Sequence, residues 1–182
     1  MSYNQPPPPG GYGAPQPGAY GAPQPRPAEL MDRFLARLID GILLTIVSFV
    51  IGLVLAAILI GSGGEANYAV TAIGAILGLA ISLGYYVFFE TTSGQTLGKK
   101  AMKLKVVGPA GAPVTPAQSV KRNFFYLFGL LALVPLGIFN VLSTLLQLGV
   151  YIFIAVTISQ DKQLRQGFHD KLANETYVMK LG

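Results

Sequence analysis

Charge-free runs divide this chain into segments. No residue is charged from Gly41 through Gly64, and a second such run extends from Ala66 to Phe89. A helix of about 24 residues reaches about 36 Å, more than the roughly 30 Å hydrocarbon core of a bilayer. The pattern therefore predicts transmembrane helices over 38–60 and 68–89, separated by the polar break Gly61-Ser62-Gly63-Gly64-Glu65. The second carries Tyr68 at one end and Tyr85, Tyr86, Phe88 and Phe89 at the other, as interfacial aromatic belts do. Small residues recur at four-residue spacing in both helices, Ser48, Gly52 and Ala56 in the first and Gly74, Gly78 and Ser82 in the second. Such stripes predict close antiparallel packing of the two helices in lipid.

A last uncharged stretch lies between Arg122 and Asp161. As one helix it would run about 57 Å, nearly twice the core thickness. Pro135, Gly137 and Asn140 mark a break, which predicts a hairpin of two short spans over 123–136 and 141–158. A surface-lying helix followed by one long span is the alternative, and it makes three crossings instead of four. Between Glu90 and Asn123 the chain turns basic. Residues 102–107 alternate as a short strand, and Thr115-Pro116-Ala117-Gln118 reads as a capping box opening a short amphipathic helix through Arg122. This loop, with its positive charges, is expected on the membrane surface near anionic lipid.

The first 27 residues differ in kind. They hold nine Pro, five Gly and one charge, and Tyr-Gly-Ala-Pro-Gln-Pro occurs at 12–17 and again at 20–25. Too little apolar surface is present to offset chain entropy, so a disordered tail of polyproline character is predicted, with Pro27 opening the first helix. It lacks the basic start and apolar run of a signal peptide. The fold expected is thus an all-α integral membrane protein with about four transmembrane helices, the last two a short hairpin. A small cytoplasmic strand pair and the tail complete it, giving a tail at 1–27 and a membrane domain over 28–182.

Composition agrees: the chain is 52% hydrophobic and only 12% charged, against about 25% charged in ordinary soluble domains. The net charge of +5 does not point to nucleic acid, because the thirteen basic residues sit in the N-terminal flank, the central loop and the C-terminal segment. All thirteen share one side of a membrane only if the number of crossings is even, which places both termini in the cytoplasm by the positive-inside rule. The absence of Cys removes thiolate chemistry, and a lone His argues against a His-based metal site. No cofactor is indicated.

The charged residues worth weighing lie at the ends of the runs. Arg33, Arg37 and Asp40 occupy neighbouring faces of one helix, with Asp40 at the hydrocarbon boundary. A carboxylate there needs a partner or water, so an ion pair with one of the two arginines is the simplest expectation. Such a carboxylate is either a proton- or cation-binding group or a structural ion pair marking the boundary. Glu90 stands where the second span leaves the membrane, followed by Gly94, Gln95, Thr96, Gly98 and Lys99, a run that only faintly resembles a phosphate loop because its spacing is short and Lys100 replaces Ser or Thr. His169-Asp170 has no placed nucleophile, and Ser143, Thr144 and Gln147 inside the last span form no acid–base pair, so no enzyme is predicted. Gln147 is expected to hydrogen bond between helices.

Three motifs together, Arg33-Phe-Leu-Ala-Arg-Leu-Ile-Asp40, Ser93-Gly-Gln-Thr-Leu-Gly-Lys99 and Phe168-His-Asp-Lys-Leu-Ala173 with Thr176 shortly after, resemble the RDD family of bacterial membrane proteins. The resemblance covers about residues 28–182, and the proline- and glycine-rich tail is similar to those of actinobacterial members. It implies that Arg33, Asp40 and Asp170 are the family's arginine and two aspartates. Arg37 is an additional base, and Asn174-Glu175 stands where the family has a single small residue. From the residues alone, 176–180 alternates well enough to pair with 103–107, which would draw Asp170 toward the first helix and gather Arg33, Arg37, Asp40, Glu90 and Asp170 at one surface. The resemblance supplies no established activity but implies transport of an unidentified ligand, either a solute or cation/proton exchange, in the cell membrane. Four short helices make a small transporter, so a homo-oligomer with contacts at the stripes around Gly52 and Gly78 is expected. The contrasting expectation is a scaffold or assembly factor whose tail recruits a proline-binding cytoplasmic partner.

Overall fold

The computed structural model describes residues 24–61 and 68–182. In chain order its elements are β1 (Arg26–Pro27), α1 (Leu30–Gly61), α2 (Tyr68–Thr92), α3 (Leu97–Ala101), β2 (Leu104–Val107), α4 (Pro116–Arg122), α5 (Gly137–Gln160), α6 (Phe168–Leu172) and β3 (Tyr177–Lys180). A 3₁₀ stretch, Phe124–Leu133, lies between α4 and α5. The repeat at 12–17, residues 20–23 of the second repeat and the polar break at 62–65 fall outside the described residues.

Among the described residues three helices, α1, α2 and α5, are long and apolar enough to cross a membrane. The first two answer to the expected spans, but α1 begins eight residues before 38. At 32 residues and about 1.5 Å each it is about 48 Å long, so its first turns, with Arg33 and Arg37, stand beyond the hydrocarbon. The span expected over 123–136 is instead a ten-residue 3₁₀ stretch, about 20 Å long at 2 Å per residue, while the span expected over 141–158 is α5, so the number of candidate spans is the three of the alternative reading. Pro135 stops the 3₁₀ stretch, and the chain has too few residues between Asn123 and Pro135 for an α-helix of membrane length. At one end Asn123 Nδ2 donates to Glu90 Oε2 (3.3 Å), and at the other the Tyr68 hydroxyl donates to the Leu133 carbonyl, so this stretch runs antiparallel along α2. The Ser143 hydroxyl, donating to the Phe128 carbonyl at 2.8 Å, ties α5 to it. Gln147, expected to reach another helix, instead approaches Ser143 one turn earlier in α5.

The membrane helices present apolar side chains outward along their length, Ile46, Phe49, Val50, Leu53 and Ile58 on α1 among them, as expected where lipid is the solvent. Of the small-residue stripes expected to pack closely, Gly74 does face α1, where a Cβ would meet Leu55 Cδ1 at 3.6 Å, whereas neither Gly52 nor Gly78 has a neighbour among the described residues that a Cβ would meet.

The compact core sits at one end of the bundle. There β3 pairs antiparallel with β2 in the register Lys105↔Met179, as the alternation predicts, and also with β1, Arg26 opposite Lys180. The expected strand pair is thus a three-stranded sheet of order β1-β3-β2. Pro27, expected to open a helix, belongs to its edge strand, where the missing N–H costs nothing. Ala28 N–H then donates to the Val178 carbonyl (2.8 Å), and Ala28, Leu104, Val106, Val114 and Val178 pack beneath Ala36 of α1. The sheet brings the beginning, middle and end of the described chain to one side of the bundle. The Thr115 capping box forms as predicted, with Gln118 N–H on the Thr115 hydroxyl and Gln118 Oε1 accepting from Thr115 N–H.

A chain starting at Arg26 retains β1 and Ala28, whereas one starting at Leu30 loses both. The shorter chain is expected to be less stable by about 2–4 kcal/mol, from lost sheet hydrogen bonds and a buried alanine. Thermal unfolding of the two truncations in the same detergent measures the difference, and coincident melting curves would remove β1 from the core.

Candidate functional site

Seven charged side chains converge where the helices meet the sheet. Asp170, fully buried in α6, is the centre: Arg33 Nη1 of α1 donates to its Oδ2 at 2.7 Å, Arg122 Nη1 of α4 to its Oδ1, and Gly167 N–H to Oδ2 at 3.0 Å. Burial alone would raise the Asp170 pKa, but Arg122 and Arg33 hold it well below the ordinary carboxylate range. Arg122 also donates to the Thr176 hydroxyl (2.9 Å), and Thr176 N–H returns to the Asp170 carbonyl (3.1 Å), so the C-terminal segment closes on the same pair.

Glu90, at the end of α2, is the second anion. Lys99 Nζ reaches its Oε1 at 2.7 Å, while the Ser119 hydroxyl (2.7 Å) and Asn123 Nδ2 (3.3 Å) donate to Oε2, with Arg122 Nε 3.5 Å from that oxygen. Burial lowers the Lys99 pKa, and the Glu90 charge opposes the shift.

Asp40 overturns its expectation. It has no arginine partner. The Tyr85 hydroxyl (2.6 Å) and Gly98 N–H (2.7 Å) donate to Oδ1, and the Thr96 hydroxyl (2.6 Å) donates to Oδ2. Arg33 is taken by Asp170. Arg37 instead lies over the Tyr86 ring, 4.1 Å from its centroid, and donates to Asn123 Oδ1 at 3.2 Å. Among the described residues no carboxylate forms an ion pair with Arg37.

This geometry explains the loop after Glu90. Gly94 follows α2 with φ +72°, a left-handed conformation suited to a helix end, and a Cβ there would meet the Val106 carbonyl at 2.8 Å. Gln95 donates through Nε2 to the Leu104 carbonyl at 2.7 Å, binding the loop to β2. Thr96 caps α3 by accepting from Lys99 N–H. Gly98 is pressed against α1, where a Cβ would come within 2.1 Å of the Ala36 carbonyl. The loop that faintly resembles a phosphate binder thus spends its Gly98 N–H on Asp40.

His169 lies beside Asp170 with its side chain 12% exposed, Nε2 3.4 Å from Asp170 Oδ1 and Nδ1 without a hydrogen-bond partner. Burial, reinforced by Arg122, Arg33 and Arg37, pushes its pKa down to about 3 against the pull of Asp170, so the ring is neutral at physiological pH and the contact is no ion pair.

All five residues expected to cluster therefore do so, but by pairings the sequence did not specify. The sequence reading missed Arg122, Ser119 and Asn123. Their spacing of three and four, which puts them on one face of a short helix, was the available signal. Tyr85, read as an aromatic-belt residue, uses its hydroxyl on Asp40. With Arg33, Arg37, Lys99 and Arg122 set against Asp40, Glu90 and Asp170, the cluster holds four cations and three carboxylates. Five of the seven, Arg33, Arg37, Asp40, Lys99 and Arg122, line a cleft of about 500 Å³ between α1 and α5, together with Thr45, Leu148 and Tyr151, while Glu90 and Asp170 are not part of its lining.

The model of the RDD family matches residues 27–174, which includes every member of this cluster. A relative, the uncharacterized protein YxaI of Bacillus subtilis (strain 168), is 30% identical over 116 residues, 56% of this chain and 77% of that protein. No solved structure matches.

Two results are expected. Asp170→Asn leaves two buried arginines under-neutralised and should cost about 3–5 kcal/mol. Asp40→Asn keeps its shape and can still accept from Tyr85 and Gly98, and should cost about 1–2 kcal/mol. Chemical unfolding of both variants in detergent gives the order, and a larger loss at Asp40 would contradict the pairing. Because the folded His169 pKa lies below its ordinary 6.5, the unfolded chain binds more protons between about pH 6.5 and 3, so stability falls on acidification through that window. The Asp170 contribution, present above the ordinary carboxylate pKa, is lost at still lower pH. His169→Gln should flatten the melting temperature between pH 6.5 and 4.5, and superimposable profiles would refute the neutral imidazole.

Proposed function

The chain belongs to the RDD family, and we propose that it is a polytopic membrane carrier whose solute is anionic and is held in the cleft between α1 and α5. The observation that carries this reading is the saturation of the carboxylates. Each oxygen of Asp40, Glu90 and Asp170 already accepts from at least one protein donor, whereas Arg37 lies among the Tyr86, Phe125 and Tyr126 rings and meets the Asn123 amide oxygen and the Tyr151 hydroxyl, with no carboxylate partner among the described residues. A cation site needs several oxygens turned toward the ion and free of donors. An anion site needs positive charge in excess and a planar donor group, which arginine supplies.

Several features fit a carrier. The cleft runs from Leu30 to Thr45 on α1, about 22 Å along the helix, so it reaches from the charged end well into the apolar layer. The charged end belongs in the cytoplasm by the positive-inside rule, since the basic residues of the central loop and of both flanks gather there with the sheet. Cation/proton exchange, the other transport reading, draws less support because protonating or stripping any of the three carboxylates breaks contacts between elements. The scaffold reading rests on the repeats at 12–17 and 20–25.

Purified full-length protein in an uncharged detergent, titrated at constant ionic strength, tests the sign of the ligand. Phosphate or sulfate is expected to raise the melting temperature progressively relative to chloride, and Arg37→Gln should abolish the rise. Replacing Na⁺ with N-methylglucamine should change nothing. Stabilisation that follows the cation and ignores the anion would overturn the reading.

A further inference from the structure

The cleft has two unlike halves. Its floor is formed by Arg33, Arg37, Lys99, Arg122 and Asp40, and its walls are apolar. Phe34 and Leu38 on α1 and Leu148 on α5 line it and are about half exposed, so the groove opens sideways to whatever surrounds the helices. In a membrane that surrounding is acyl chain. A small hydrated anion would satisfy the floor but leave its own hydration shell against these walls, whereas an amphiphile matches both halves.

The positive groups also stand at a particular depth. Arg33 and Arg37 precede the charge-free run that begins at Gly41, so they lie at the level of the lipid headgroups when that run fills the hydrocarbon. Arg33 is nine-tenths buried, and its Nε and Nη2 have no hydrogen-bond partner, its Nη1 alone being engaged by Asp170. Arg37 lies one helical turn deeper on α1. Two guanidinium groups one turn apart, that of Arg33 with two donors unengaged and more positive than negative charge around them, suit an oxyanion that accepts several hydrogen bonds at once.

We propose that the α1–α5 cleft binds an anionic phospholipid, entering laterally from the bilayer, with its phosphate at Arg33 and Arg37 and an acyl chain along Phe34, Leu38 and Leu148. This rests on the reading of the cleft as an anion site and names the chemical class of its occupant. A volume of about 500 Å³ accommodates a headgroup and the upper part of a chain, and the remainder extends into the bilayer.

The protein contains no Trp, so a single introduced one reports without background. Full-length Leu148→Trp, and as a control Ile76→Trp on the outward face of α2, are reconstituted in phosphatidylcholine bilayers. Brominated phosphatidylglycerol or brominated phosphatidylcholine is then added as the fluorescence quencher. Leu148→Trp is expected to reach half-maximal quenching at a several-fold lower mole fraction of the anionic lipid, while Ile76→Trp shows no preference. Combining Leu148→Trp with Arg37→Gln should erase the preference. Ala155→Phe, which narrows the apolar wall without touching a charge, should weaken it even if the arginine variant does not fold.

Equal quenching by the two lipids at Leu148→Trp overturns the proposal. If phosphate still stabilises the detergent-solubilised protein, the anion reading survives that failure; if it does not, both fall. A preference abolished by millimolar inorganic phosphate would also overturn the lipid as occupant and assign the site to a soluble anion.

Discussion

Everything at the charged end depends on Asp170. Its two oxygens take Arg33 from the first helix and Arg122 from the helix before the 3₁₀ passage, so a carboxylate from the last helix joins three distant parts of the chain. Placing an ionised carboxylate out of water costs several kcal/mol unless opposite charges and donors meet it. That cost is offset here only if all three elements arrive together. The requirement makes the contact cooperative: remove one partner, and the others become uncompensated buried charges. The β1-β3-β2 sheet works to the same end, since it draws the two flanks of the chain and the central loop to one side of the bundle.

Asp40 shows a different solution to the same problem. It lies deeper on α1, where another cation would itself have to be desolvated, and it is neutralised by dipoles instead. A tyrosine hydroxyl, a threonine hydroxyl and one backbone N–H supply them, and the N–H can approach because Gly98 carries no side chain. The Gly94–Lys99 motif is therefore the mould for Asp40 on one side and, through Lys99, for Glu90 on the other. An aspartate near two arginines on one helix does not establish an ion pair, since an opposing loop can offer closer donors.

The membrane helices follow another physics. Outward apolar side chains there need no protein partner, because acyl chains solvate them as well as leucine would. The helices can therefore stand apart, as α1 and α5 do around the cleft, without the penalty that an open apolar groove carries in water. The ordered core of this molecule is accordingly small and lies at one end, beneath Ala36, while α2 and α5 are joined along their length through the 3₁₀ stretch between them.

The sequence by itself determined the solvent, the long helices, the β2–β3 alternation and the capping box at Thr115, because each rests on a local period or on a composition that no distant contact alters. It also named the five residues that cluster, since charges at the edges of apolar runs have few other places to go. The tertiary structure alone decided which arginine meets which acid, that Asp40 meets none, and that Arg26–Pro27 closes the sheet as a third strand. It alone turned 124–133 into a 3₁₀ passage. Those outcomes depend on distances between elements far apart in the chain, where a shift of one helical turn exchanges one hydrogen-bond partner for another. Local pattern carries no information about such shifts.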